Sequence, residues 1–294
     1  VSLKSGRKNL IINGDMQVWQ RGTSFTSAGY TADRWKWAGG AGTVTQQAFT
    51  AGDEIVDSPY YLRWAVTGNS QNYELQHNIE DVRTAAGKSC KLSFWAKSST
   101  GTETLGWEVY QNFGSGGSAL TSAGGGTYTP TTSWAKYTFD VTMGSMSGKT
   151  IGTGSYIWVR AAQMATTNTP TIEFAGVQLE LGSVATDFEH RSYGEELALC
   201  QRYYQASNGA IIRNLVPYST ANSYTDHVIF PTTMRTTPSI IISSPQYHST
   251  NGWATAGTAV YRVTGYGFNW EPSGSFTAYA PRLGEFSYTA DAEL

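Results

Sequence analysis

The sequence predicts an all-β protein, a jelly-roll β-sandwich followed by a second β domain, and three observations support this. Only 14% of the 294 residues are charged, against roughly a quarter in an average soluble domain, whereas aromatic residues reach 13%. Short runs of alternating apolar and polar residues are separated by Gly/Ser/Thr turns, as is typical of strands. A single stretch has helical spacing.

The strand-like runs between residues 40 and 180 predict the sandwich. Their spacing, with a turn after each run, is typical of sandwiches and jelly rolls. The runs are 43–49, 60–66, 73–80, 90–97, 105–113, 133–141, 155–163 and 171–180. The glycine-rich stretch 114–126 is predicted to be a long flexible loop, because a phosphate-binding loop would be followed by a helix pattern.

A capping box predicts the helix that follows. In the sequence SYGE, Ser192 and Glu195 have the spacing at which each side chain bonds the backbone N–H of the other. Four positions then recur at helical spacing: Leu197, Cys200, Tyr203 and Tyr204. A short connecting helix is therefore expected at about 192–205, and Asn208-Gly209 is expected to end it.

A second β region follows the helix. Its strand-like runs are 209–216, 224–231, 238–244, 258–270 and 275–290. The chain is therefore predicted to have three parts: a jelly roll at 1–191, a connector helix at 192–205 and a distal β-sandwich-like domain at 206–294.

Composition argues against several classes of function. The net charge is −2 and the pI about 6.1, with no basic stripe to bind nucleic acid. No apolar run approaches the roughly 18 residues of a membrane span. The segment 1–10 lacks the apolar region of a signal peptide and an initiator Met, so a piece of a longer chain is expected. Cys90 and Cys200 are interpreted as two buried thiols, and a disulfide between them stays an alternative.

Catalytic motifs are not found in the sequence, so neither an enzyme nor a cofactor is predicted. The histidines do not have the spacing of zinc ligands: His77, His190, His227 and His248. A catalytic carboxylate pair is defined by distance in space, and four carboxylates fall near one sheet region: Glu74, Glu80, Asp81 and Glu108. They are interpreted as solvated or hydrogen-bonded groups, with a catalytic pair left open.

Strand alternation predicts a polar and aromatic face. In the runs 73–80, 90–97, 105–113 and 155–163, one set of side chains is apolar and the other points away from the core. If these strands share a sheet, the second set forms one face that carries Gln76, Asn78, Trp95, Glu108, Tyr110, Trp158 and Arg160. Sugars pack on aromatic rings and bond amides, carboxylates and guanidinium groups. We therefore predict a glycan-binding face; the alternative is a face covered by another domain, a subunit or the glycine-rich stretch.

Two segments carry a resemblance to a known family. NLIINGDMQVWQRG (9–22), followed by YTADRW (30–35), resembles the start of a module common in bacteriophage tail fibres and other virion-associated proteins. IEFAGVQLELGSVATDFEHRSYGEELALCQRYYQ (172–205) looks like its end. The sandwich of that module is similar to carbohydrate-binding modules. A weaker match, HVIFPTTMRTTPSIIIS (227–243), implies only a β-rich distal domain.

The resemblance implies a function. It suggests a phage tail fibre or receptor-binding protein, non-catalytic, that attaches the virion to surface polysaccharide or lipopolysaccharide of the bacterial host. Such proteins are generally homotrimers, contact other tail proteins and lie outside the cell on the virion. One alternative is a structural virion protein (fibre shaft, capsid decoration or adaptor) whose sandwich serves trimer assembly. Another is a polysaccharide depolymerase, which is disfavoured because no β-helix repeat is present.

The resemblance also bears on calcium. Related carbohydrate-binding modules share a structural calcium between their two ends, where this sequence has Asn13-Gly14-Asp15-Met16-Gln17 and Ala175-Gly176-Val177. Gln17 replaces the acidic ligand and no Asp precedes Val177. Asp15 and Glu173 alone offer too few carboxylates for calcium, so no metal is expected.

The segment 9–22 is interpreted as an entry strand. Its apolar run, Leu10 to Ile12, is expected to pack in the sandwich, and Asn13-Gly14 to form a turn that needs a left-handed residue. Trp19 and Trp35 are expected in the core or its rim, and Arg21 and Arg34 to brace loops or subunits. The distal domain is the rival candidate for the receptor surface, because its loop-like stretches carry Tyr247, Trp253, Tyr266 and Trp270.

Overall fold

A computed structural model describes residues 7–68, 70–166, 169–207, 209–215, 226–249, 252–255, 257–273 and 282–294. The chain divides into two compact units, Val1–Glu196 with Leu294, and Leu197–Glu293. Both are built from antiparallel strands, and the described residues include one α-helix, α1 (Tyr193–Gln201), and one short 3-10 helix, Val82–Ala85. The all-β prediction is confirmed.

Two six-stranded antiparallel sheets form the jelly-roll sandwich of the first unit. Sheet 1 has the strand order β1 (Ser24–Phe25), β4 (Gly42–Ala48), β5 (Tyr60–Val66), β12 (Thr171–Leu181), β7 (Ser89–Ser98) and β10 (Ala135–Thr142). Sheet 2 has the order β2 (Gly29–Tyr30), β3 (Trp35–Ala38), β6 (Ser70–Glu80), β11 (Tyr156–Thr166), β8 (Leu105–Asn112) and β9 (Thr121–Tyr128).

The core of the first unit lies between these two sheets. Along β8, buried and half-buried residues alternate without a break, because successive side chains of a strand point to opposite faces. Large aromatic side chains fill the interior, and the fully buried ones include Trp35, Trp37, Trp64, Phe94 and Phe174. Burial of this apolar area is the main force that holds the two sheets together.

The prediction that 114–126 is a flexible loop is wrong, because the second half of this stretch forms the edge strand β9. It pairs with β8 in the register Trp107↔Gly126 and Val109↔Gly124. A Cβ on Gly124 would lie 3.2 Å from the Trp107 indole, and one on Gly126 would lie 3.1 Å from it. Glycine at these two positions therefore leaves room for the Trp107 side chain. Glycine often occurs in strands where another group approaches the backbone closely.

The entry segment 9–22 lies against sheet 1 but is not a strand. Asn13 takes the predicted left-handed conformation, with φ of 56°. Gly14 serves a different purpose, since a Cβ there would lie 2.1 Å from the carbonyl oxygen of Val177. A bulge in β12 between Ala175 and Gln178 frees the N–H of Val177, which donates to the carbonyl of Gly14 at 2.8 Å.

The apolar run of this segment has the expected role in part. Ile11 is fully buried in the core, and Leu10 packs against it while half-buried. Trp35 is also fully buried, and Trp19 packs at the rim. Arg34 is buried and donates to the backbone carbonyl of Asn78, so its bracing role lies inside the sandwich.

Helix α1 is shorter than predicted. The capping box is confirmed, because the Ser192 N–H donates to the Glu195 carboxylate at 3.1 Å and the Glu195 N–H donates to Ser192 Oγ at 3.4 Å. The helix ends at Gln201, and Tyr204 already belongs to a strand. The aromatic residues that continue the helical spacing are therefore buried after the helix has ended. Cys90 and Cys200 are both free thiols and both buried.

The second unit has two smaller antiparallel sheets. One has the order β13 (Tyr204–Ala206), β20 (Arg282–Asp291), β16 (Ser239–Ser249) and β17 (Gly252–Thr255), with β14 (Ile211–Leu215) also paired to β20. The other has the order β15 (Asp226–Ile229), β19 (Gly267–Ser273) and β18 (Gly257–Thr264). The core of the second unit includes Phe268, Trp270 and Phe286, and each of these side chains is fully buried.

Candidate functional site

Six of the seven predicted site residues lie on one face of sheet 2, the face directed away from the core. The three strands β6, β11 and β8 are neighbours in this sheet. Trp158 is paired with Asn78 on one side and Tyr110 on the other, and Arg160 with Gln76 and Glu108. We call this set the sheet 2 face: Gln76, Asn78, Glu108, Tyr110, Trp158 and Arg160.

The seventh residue, Trp95, belongs to the other sheet. Strand β7 lies in sheet 1 between β12 and β10, so the expectation that all four runs share a sheet is wrong. Trp95 packs half-buried with Phe49, Trp134 and Phe188 on the outer side of sheet 1. Alternation assigns a residue to the outward side of its own strand, but it does not tell which of two sheets holds that strand.

Arg160 is the centre of the sheet 2 face. Its guanidinium forms an ion pair with Glu74 at 3.1 Å and another with Glu108, and it donates to Gln163 Oε1 at 2.8 Å. The side chain is only 9% exposed, so these bonds hold it in one orientation. A planar guanidinium that is held by three side chains offers a polar ligand a fixed arrangement of charged groups.

Two aromatic rings lie beside this charged centre. The rings of Tyr110 and Trp158 have centroids 5.8 Å apart and planes inclined by 36°. The Arg160 guanidinium carbon lies 4.4 Å from the Trp158 ring centroid, within the range of a cation–π contact. The Tyr110 hydroxyl donates to Glu108 at 3.0 Å, and its pKa is raised, chiefly by burial and then by this carboxylate. The hydroxyl therefore stays protonated as a donor at neutral pH.

One end of the face is covered. Asn78 is 9% exposed, and its side-chain amide donates to the carbonyl of Leu294 at 3.1 Å. Leu294 belongs to the same compact unit and also accepts from the Tyr30 hydroxyl at 2.8 Å. Leu294 therefore covers the Asn78 end of the face, whereas Gln76, Glu108, Tyr110 and Trp158 remain half-buried.

One partner of Arg160, Gln163, was not singled out from the sequence, and Glu74 was named as a carboxylate near the sheet but not as part of the glycan-binding face. Glu74 lies two residues before Gln76 and so on the same side of β6, which alternation could have indicated. Gln163 differs from Arg160 by an odd number of residues, and strict alternation would place it on the opposite face. A bulge between Arg160 and Ala162 shifts the register and returns Gln163 to the outward side.

Three of the four carboxylates named near this sheet are paired with arginines. Glu74 and Glu108 share Arg160. Asp81 pairs with Arg83 at 2.8 Å. Burial by itself would raise the pKa of Asp81, but the hydrogen bonds and the charge of Arg83 lower it. The lowered pKa favours the charged form of Asp81, whereas a general acid must keep its proton.

The part of the chain that the structure describes holds no group of three His, Cys, Asp or Glu residues placed to bind a metal ion. Glu173, one of the two carboxylates of the calcium comparison, is bound by Arg63 and Lys97 at 2.6 Å each. The other, Asp15, accepts from the Gln17 amide. No helix in the described ranges is long and apolar enough to cross a membrane.

The rival aromatic residues of the second unit are not equivalent. Trp270 is fully buried in the core and cannot meet a receptor, whereas Tyr266 is 69% exposed. The side chains of Tyr247 and Trp253 lie outside the described residues.

No protein-family model and no curated protein matches this chain. Among solved structures, it is similar to one described as CBM4, with 15% identity, 58% of this chain and 98% of that chain covered, and a TM-score of 0.37. It is also similar to the CBM22-1 xylan-binding domain of Paenibacillus barcinonensis Xyn10C, with 14% identity, 55% and 94% coverage and a TM-score of 0.35.

A further similar structure is the enzymatically active domain of tailspike protein 4 from bacteriophage CBA120. The identity is 16%, the match covers 59% of this chain and 21% of that chain, and the TM-score is 0.38. Identities and TM-scores of this size assign neither a family nor a ligand to this chain.

Proposed function

We propose that the protein is a non-catalytic glycan-binding component of a phage tail fibre, which attaches the virion to polysaccharide or lipopolysaccharide on a bacterial host. The observation that carries glycan binding is the sheet 2 face, where the Tyr110 and Trp158 rings lie beside the Arg160 guanidinium. The phage assignment rests on the resemblance of segments 9–35 and 172–205 to virion proteins.

The chemistry of the face suits a saccharide. A sugar ring has C–H groups that pack on aromatic rings and hydroxyls that bond planar polar groups. Tyr110 and Trp158 supply the rings, and the carboxylates of Glu74 and Glu108 supply acceptors already oriented by Arg160. Because this network is formed before binding, little ordering would be needed when the ligand arrives.

The test is binding of purified host lipopolysaccharide or capsule to the protein and to four variants. Trp158→Ala and Tyr110→Ala should each weaken binding by roughly tenfold, the loss expected when an aromatic contact of about 1.4 kcal/mol is removed. Tyr193→Ala is the control, since it removes an exposed ring of α1, which belongs to neither sheet, and it should bind like the wild type. Unchanged binding of the Trp158→Ala, Tyr110→Ala double variant would contradict the site.

The experiment also separates the alternatives. A structural virion protein would bind no host glycan. Its mass in solution would not distinguish it from a receptor-binding protein, because both hypotheses expect a trimer. A depolymerase would release new reducing ends from the polysaccharide, and the ion-paired state of Glu74 and Glu108 argues against this outcome.

A further inference from the structure

We propose that the outer side of sheet 1 carries a second binding site, for a carboxylate-bearing sugar, built around Arg63, Lys97 and Trp134. The site goes beyond the proposed function, because it uses neither the strands nor the side chains of the sheet 2 face. Its argument rests on a cavity, an excess of positive charge and an aromatic wall.

The cavity lies over β5, β12 and β7. It has a volume of about 500 Å³ and is lined by Arg63, Lys97 and Glu173 together with the hydroxyl residues Ser99, Thr132 and Thr171. A second cavity of about 320 Å³ adjoins Lys97 and is lined by Phe49, Tyr61 and Trp134. The larger volume is in the range of sites that hold small molecules.

Three charged side chains form the floor of the larger cavity. Glu173 on β12 is paired in register with Arg63 on β5 and with Lys97 on β7. It accepts from Arg63 Nε at 2.6 Å and lies 2.6 Å from Lys97 Nζ. Glu173 is 5% exposed, whereas Arg63 is 39% exposed and Lys97 29% exposed. The carboxylate thus lies beneath two cations that both reach the surface.

The floor is one positive charge in excess. A single carboxylate offsets one of two cations, and Arg63 and Lys97 repel each other at short range. In keeping with this, burial first and the Arg63 charge second lower the pKa of Lys97. Asp53, an exposed residue, lines the smaller cavity, so the positive excess belongs to the floor of the larger cavity and not to the two cavities together. An anion with one charge, placed over the floor, would balance the pair and favour the charged form of Lys97.

The aromatic side chains of the smaller cavity, Trp134, Tyr61 and Phe49, indicate which other chemical group the anionic ligand should have. Lys97 Nζ lies 5.1 Å from the Trp134 ring centroid. Trp134 is held by Tyr61, whose ring centroid is 5.4 Å away at an angle of 84°, and by Phe49 at 5.6 Å. A ligand that spans both cavities therefore needs a carboxylate at one end and a ring with C–H groups at the other. A uronic acid has both, and its hydroxyls match Ser99, Thr132 and Thr171.

The test is calorimetric titration of the full chain with digalacturonate, the neutral disaccharide galactobiose and inorganic phosphate. We expect digalacturonate to bind, and galactobiose and phosphate to bind at least about tenfold more weakly. Lys97→Gln should weaken digalacturonate binding by at least about tenfold. Lys91→Gln is the matched control, because Lys91 lies on the same side of β7, paired with Asp140 at 2.7 Å, about 20 Å from Lys97.

Several outcomes would overturn the proposal. They are no detectable digalacturonate binding, equal binding of galactobiose or phosphate, or a loss in Lys91→Gln as large as that in Lys97→Gln. Arg63→Gln gives the same test if Lys97→Gln does not fold. Trp158→Ala must leave digalacturonate binding unchanged, since a loss there would assign the acidic sugar to the sheet 2 face. Failure of either site is thus recognised separately.

Discussion

Replacing Asp15 by Asn should change how the stability of the first unit depends on pH. Asp15 lies in the entry segment, is 1% exposed and accepts a hydrogen bond from the Gln17 amide. Its other carboxylate oxygen has no hydrogen-bond partner among the described residues. Burial, and next the nearby Glu196 carboxylate, raise the pKa of Asp15 to about 7. Asparagine keeps the shape and the bond to Gln17 but cannot ionise.

The sign and size of the effect follow from the two pKa values. The folded protein holds the Asp15 proton more tightly than the unfolded chain, whose value is 3.8, so the free energy of unfolding falls as pH rises from about 4 to about 7. The window spans about three pH units at about 1.4 kcal/mol each, which gives a loss of about 4 kcal/mol. Asp15→Asn should avoid this loss.

The assay is urea unfolding of wild type and variant at several pH values from 4 to 8, followed by tryptophan fluorescence. The free-energy difference between the two proteins reports Asp15 together with its interaction with Glu196, because other groups with shifted pKa values, such as Glu189 and His77, contribute equally to both. The variant should gain on the wild type through this window, by an amount of the order of 4 kcal/mol. A difference that stays constant from pH 4 to pH 8 would refute the reasoning.

Two further predictions concern the packing of the same region. Gly14→Ala should lower the urea midpoint of the first unit markedly, since its Cβ would lie 2.1 Å from the Val177 carbonyl oxygen. The control is Gly194→Ala in α1, where a Cβ would meet nothing within 4 Å. This control should have a stability equal to or higher than that of the wild type. Arg191→Ala should cost about 3–5 kcal/mol of unfolding free energy, because it leaves Glu196 buried without its cation at 3.2 Å. Arg83→Ala, at an exposed ion pair with Asp81, should leave the midpoint unchanged.

Each of these pairs has its own contradicting outcome. If Gly14→Ala unfolds at the same urea concentration as Gly194→Ala, the entry segment does not need its close approach to β12. If Arg191→Ala and Arg83→Ala behave alike, the buried ion pair of Arg191 contributes no more than an exposed one.

Much of the first unit could be predicted from local pattern. The run that corresponds to β8 alternates strictly, and the inward sides of β6, β7 and β11 are buried as expected, although a bulge after Arg160 breaks the alternation of β11. The Ser192–Glu195 capping box could also be predicted, since it depends on residues three apart. The length of α1 could not be predicted. Tyr203 and Tyr204 keep the helical spacing of apolar residues, although the helix ends at Gln201 and Tyr204 already belongs to a strand.

The two matched segments of the resemblance have a structural explanation that only the tertiary structure provides. Asn9, from the first segment, donates to the Val177 carbonyl at 3.1 Å and accepts from the Leu179 N–H at 3.1 Å. Arg191, from the second, donates to the Ile11 carbonyl at 3.1 Å and to Glu196. The motif residues therefore form the buried polar bonds that join the start of the sandwich to its end, which fits their interpretation as a fold signature.

What the sequence by itself determined is the side of each strand on which a residue lies, because the two-residue period is a property of the backbone alone. That period is sufficient to place Gln76, Tyr110, Trp158 and Arg160 on the outward sides of their strands. Which strands become neighbours depends on contacts between residues far apart in the chain. The tertiary structure therefore decided that Trp95 lies on the other sheet, that a bulge brings Gln163 to Arg160, and that Arg63 and Lys97 meet across Glu173.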